Sequence, residues 1–152
     1  MKPLVVCTAL VLALAVPAPC NAQDDANLAD FSITLKRVGC VGSCPDYEVT
    51  ILGNGRVRYQ GNAYVRVEGV RERVIPVPNV QKLVRRLQNE HFFQWDETDA
   101  VCLDFPEVHI TASVRAHSKH VLEGCNKPGR VLTLAKEIDR ISGTKRWVKM
   151  PR

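Results

Sequence analysis

Chemistry in this chain concentrates first in its cysteines. In "GCVGSCPDY", residues 39–47, Cys40 and Cys44 stand among Gly39 and Gly42 and are followed by Pro45 and Tyr47. Three chemistries use such a pair. A redox centre of the thioredoxin type wants Cys-x-x-Cys at a helix N-terminus, where the dipole and free amides lower one thiol's pKa. Here the spacing is one residue longer and a strand pattern follows. A zinc clip would draw Cys40, Cys44, Cys102 and Cys125 onto one tetrahedron, yet the second pair lacks close spacing. A disulfide staple asks only that the glycines let the backbone curl and that Pro45 fix the exit into the next strand. The staple is the expected state, and a metal-binding or thiol-redox role for Cys40 and Cys44 is the alternative.

Compartment weighs on that choice. After Met1 and Lys2 the 152-residue chain runs apolar over residues 4–16 and then reaches Pro17, Ala18 and Pro19. Charge, short apolar core and small residues in that order describe a secretory signal, and the core is too short to span a ~30 Å bilayer interior. Cleavage is expected after Ala22, with a lipid-bearing Cys20 as the alternative, which places the mature protein in the periplasm or outside the cell. Loss of residues 1–22 removes Cys7 and Cys20 and one charge, Lys2, from a formal net charge of +5. Four cysteines remain, and an oxidising compartment pairs them. Of three connectivities the preferred one is Cys40 with Cys44 and Cys102 with Cys125. The second bond requires residues 103–106 to double back.

Other reactive residues are more scattered. "WDETDAVCLD" gathers Asp96, Glu97, Asp99 and Asp104, oxygen donors that suit calcium but not at EF-hand spacing, so a solvated acidic loop is expected over residues 96–104. With the turn of the last hairpin at His117 and Ser118, His109 and His120 fall far out of register and read as separate rim histidines. No Gly-x-Ser-x-Gly, His-Glu-x-x-His or phosphate loop is present, and no cysteine is left over as a nucleophile, so neither an enzyme nor a cofactor or metal is expected. Basic residues lie along outward faces: Arg56, Arg58, Arg66, Arg71 and Arg73 on strands, Lys82, Arg85 and Arg86 on a helix, and Lys145, Arg146, Lys149 and Arg152 at the end. Arg56, Arg58 and Arg66 form the candidate binding surface, facing an anionic envelope polymer or an envelope protein. Without aromatic interleaving they do not suggest nucleic acid.

The elements that must position these residues follow from periodicity. Residues 23–30 carry no pattern and read as a disordered lead. "FSITLKR" alternates with period two, as does "YEVTIL", which turns through "GNG" into "RVRYQG" with Ile51 opposite Val57 and Val49 opposite Tyr59. Residues 63–75 give a further strand or pair interrupted at Glu68 and Gly69. "PNVQKLVRRLQNEHFF" switches to the helical period, "EVHITASVRAHSKHVLEG" returns to a hairpin, and Pro128 opens a second helix that Gly143 closes. The expected fold is α+β: an antiparallel sheet of about five to six strands with two amphipathic helices on one face, in the order strands, helix, hairpin, helix. One domain over residues 31–148 and a tail over 149–152 are expected. No apolar run after residue 22 approaches membrane-spanning length.

"RVGCVGSCPDYEVTILGNGRVRYQG", a lone glycine at Gly69, the helix running into "HFF", "LDFPEV" and "EIDRISGTKRWV" together resemble a family of uncharacterised exported bacterial domains classed only as a domain of unknown function. The resemblance covers residues 31–148, and its Cys-x-Gly-x-Cys-Pro-x-Tyr motif is the specific part. It implies a bacterial origin and an envelope or secreted location and brings no catalytic residue with it. Cys102 and Cys125 depart from its simplest members. The reading is an exported binding or structural module, held by disulfides.

Overall fold

A computed structural model describes residues 28–96 and 101–148. The signal segment, residues 97–100 of the acidic loop and the tail from 149 lie outside them. Six strands, β1 (Phe31–Val38), β2 (Asp46–Leu52), β3 (Arg56–Ala63), β4 (Gly69–Val74), β5 (Glu107–Val114) and β6 (His117–Glu123), form one antiparallel sheet in the order β4-β3-β2-β1-β5-β6. Helix α1 (Val77–Asn89) separates the first four strands from the last two, and α2 (Arg130–Ser142) closes the chain. This is the α+β fold expected from the periodicity.

Strand alternation sends one side chain in two to the same face. Phe31, Ile33 and Leu35 of β1 point the same way as Tyr47, Val49 and Ile51 of β2, Val57 and Tyr59 of β3, and Val108, Ile110 and Ala112 of β5, and all are buried. The helical stripes Val80, Leu83, Val84 and Leu87 of α1, and Val131, Leu134, Ala135, Ile138 and Ile141 of α2, complete that core. Pro78 in the first turn of α1 costs no hydrogen bond, since that amide has no intrahelical partner. At the far end of α2, Gly143 sits at φ 74° and stops the helix.

The opposite face is left uncovered. Cross-strand register lines up Glu72, Arg58, Thr50, Thr34, Thr111 and His120 in one row across all six strands. The Thr34 and Thr50 hydroxyls bond at 2.9 Å within it. A polar open face of this kind is what one-sided antiparallel sheets present to water.

Three local readings are corrected. The β5–β6 turn is Arg115 and Ala116, with Val114 opposite His117, rather than His117 and Ser118. Arg115 takes the left-handed conformation at φ 53°, which its residue type does not advertise. Helix α1 stops at Asn89 instead of running into "HFF", because His91 at φ 52° breaks it and folds Phe92 and Trp95 back into the core. Leu28, within the stretch read as a disordered lead, is buried in the core.

Candidate functional site

The cysteines are joined in two disulfides, Cys40–Cys44 and Cys102–Cys125. The first closes the exposed connection between β1 and β2. For the second, residues 102–105 do turn back, with the Phe105 amide donating to the Cys102 carbonyl at 3.3 Å and Asp104 at φ 66°. The Cys102 amide then donates to the Gly124 carbonyl at 3.0 Å, at the exit of β6. Bonded sulfurs offer no thiolate to zinc, and among the described residues no group of three or more His, Cys, Asp or Glu side chains converges as metal ligands. Asp96 and Asp104 are described, but residues 97–100 between them are not.

Of the three arginines proposed as a surface, the structure brings two together. Arg56 and Arg58 are exposed neighbours on the open face, where Glu72 sits between them, opposite Arg58 and 3.7 Å from Arg56. Arg66 lies at the other end of β3, on the exposed turn into β4. Charge on the open face is therefore mixed.

The strongest cationic site lies elsewhere. Arg73 belongs to the helix-facing side of β4, opposite Val57, and its Nη1 donates to the Ser142 carbonyl at the end of α2, 3.3 Å away. The short 3-10 turn Thr144–Arg146 follows Gly143. It is pinned because Trp147 stacks on Tyr59, ring centroids 4.9 Å apart, and its carbonyl accepts the Val67 amide at 3.0 Å. Lys145 and Arg146 are thus held beside Arg73 around a cavity of about 560 Å³, which Asp139, Arg140, Asn79 and the start of α1 also line. A Cβ on Gly143 would only displace the flexible Arg73 guanidinium, so it is the positive φ that calls for glycine here.

Asp139 is the acid in the cavity lining, and its carboxylate is taken by Arg37. Arg140 is engaged with Glu137 through Nε–Oε2 at 2.8 Å. Among the described residues Arg73, Lys145 and Arg146 make no ion pair with a carboxylate. Burial, then the neighbouring Arg146 charge, push the Arg73 guanidinium below its usual pKa. An anion seated here would relieve that repulsion and find planar, multidentate donors suited to phosphate or carboxylate oxygens.

A second charged cluster borders the cavity through Asp139, and its charges are paired within the fold. Arg37 continues the inward phase of β1 and meets Asp139, the buried acid of α2, through Nη2–Oδ2 at 2.9 Å. Tyr47 donates to Asp139 Oδ1 at 2.8 Å and accepts from Arg37 Nε at 2.9 Å, while the Thr144 hydroxyl bonds the same Oδ1 at 2.8 Å. Burial, then the Asp139 charge, raise the Tyr47 pKa far above the phenol range, which keeps it a donor. The tyrosine of the "CVGSCPDY" stretch is thereby tied to "EIDRISGTKRWV". Sequence reasoning missed this cluster. Its one signal is charge at apolar-phase positions, Arg37 after Phe31, Ile33 and Leu35, and Asp139 beside Ile138.

His109 and His120 are also neighbours, contrary to expectation, because the corrected turn places His120 opposite Thr111 on the face that carries His109. Residues 31–142 match a family described as a Domain of unknown function (DUF6438). No curated protein matches the chain.

Proposed function

Since the chain belongs to the family of that domain of unknown function, we propose that it is an exported, non-catalytic binding module of the bacterial envelope. Its ligand is an anionic envelope polymer, gripped by the cavity at Arg73, Lys145 and Arg146. Export rests on the leader pattern of residues 1–22 and agrees with two disulfides in a small domain. One observation carries the binding reading: Arg73, Lys145 and Arg146 gather around the cavity without a carboxylate partner, while Asp139 in its lining is taken by Arg37. Among the described residues no helix is long and apolar enough to cross a membrane.

The site moves from the open face, where Glu72 offsets Arg56 and Arg58, to the sheet's β4 edge. The test is calorimetric titration of the disulfide-bonded protein with polyphosphate at low and high salt. Binding should weaken with salt, as contacts between exposed charges do. Arg73→Ala with Arg146→Ala should lower affinity at least tenfold, and Arg56→Ala with Arg58→Ala should leave it nearly unchanged. Equal losses in both doubles, or no binding to polyphosphate or to a polyuronate, would remove the cavity from consideration. Intact mass of the exported protein checks the compartment separately: a chain starting at Gln23 and about four mass units below its reduced form is expected.

A further inference from the structure

The two histidines on the open face lie on β5 and β6, at the opposite edge of the sheet from the cationic cavity. His109 Nδ1 and His120 Nε2 face each other at 3.2 Å, with ring centroids 5.4 Å apart. On its other side His109 Nε2 is 2.8 Å from Glu107 Oε2. An ionised carboxylate only accepts, so the proton of a neutral His109 sits on Nε2 and its Nδ1 presents a lone pair toward His120. A carboxylate behind an imidazole in this way fixes the tautomer and orients the ring, as the partners of metal-ligating histidines do.

The spacing suits a shared ion. Two nitrogens bound at ordinary zinc distances to one tetrahedral centre lie about 3.3 Å apart, so the pair already has the separation a shared ion needs, and the rings have only to tilt their lone pairs toward it. We propose that His109 Nδ1 and His120 Nε2 form a two-imidazole site for a divalent transition metal ion, with Glu107 as the positioning residue behind His109. Water completes the coordination, since both histidines sit on the uncovered face. Imidazole donors favour copper over zinc, and Lys36, opposite His109 on β1, opposes any cation and limits the affinity.

The experiment is titration of the disulfide-bonded protein with CuSO4 and with ZnCl2, followed by calorimetry and, for zinc, by the imidazole NMR signals. One equivalent should bind, with His109 and His120 shifting together while His91 and His117 stay still. His120→Gln and His109→Ala should each abolish saturable binding, and Glu107→Gln should weaken it roughly tenfold with stoichiometry kept. Thermal melts without metal show whether each variant is folded; if His109→Ala is not, His120→Gln on the exposed edge strand decides. Unchanged binding in His120→Gln, or shifts confined to His91 or His117, would overturn the site, as would the absence of saturable binding by wild type.

Discussion

Arg37 and Arg73 both rise from the sheet toward the end of α2, yet they meet opposite surroundings. Arg37, on central β1, is bonded by Asp139 and Tyr47 and supports a closed network. Arg73, on edge strand β4, reaches only a helix-terminal carbonyl and shares its cavity with Arg146 and Lys145. Arg37 is neutralised within the fold, while the fold leaves Arg73 without a counter-charge. The contrast separates cations by what surrounds them, and counting basic residues along the chain does not.

The harshest way to break the comparison is Asp139→Ala, which leaves Arg37, Tyr47 and Thr144 facing an uncompensated gap. Removal of one partner from a buried pair costs about 3–5 kcal/mol, so urea denaturation should show a loss of that order. A loss below about 1 kcal/mol would place Arg37 with the expendable cations. Next comes the other end of α2, where the Cys102–Cys125 bond fastens the approach to the helix. Its loop of 23 residues in sequence separation is worth about 3 kcal/mol in chain entropy. Cys102→Ala with Cys125→Ala should lower the denaturation midpoint accordingly without touching polyphosphate affinity.

Arg73→Ala should move stability by no more than about 0.5 kcal/mol, as surface changes outside special features do. A larger loss would mean that its bond to Ser142 holds α2 in place. The mildest test sharpens the contrast by pH. The hydrogen bond from Arg140, despite opposing burial, holds the Glu137 carboxyl below its usual pKa of 4.5. That pair therefore stabilises the fold above 4.5 and is lost as pH falls through the depressed folded value. Acidification frees Arg140 at the cavity rim, so polyphosphate should bind slightly tighter in that window, and Glu137→Gln should reproduce the gain at neutral pH.

Periodicity alone located the strands and both helices, because alternation and the helical stripe are local. The β2–β3 register was legible too: "GNG" marks the turn, and Ile51 opposite Val57 follows from it. Legibility ended where geometry departs from residue type. Arg115 in a left-handed turn shifted the β5–β6 register and hid the histidine pair. The cavity was hidden for a different reason, since Arg73 and Arg146 come together only through the packing of Trp147 on Tyr59. Arg37 was visible as a charge out of phase, but nothing local points to a partner as distant as Asp139.

Strand order also dictates a schedule of assembly. β1 to β4 can zip up as a meander as soon as they are made, but the outer flank of β1 stays vacant until α1 and then β5 arrive. During that interval Phe31, Ile33 and Leu35 sit on an unpaired, apolar strand edge, a template for joining another chain. A chain that ends before residue 107 should therefore aggregate rather than form a smaller soluble domain.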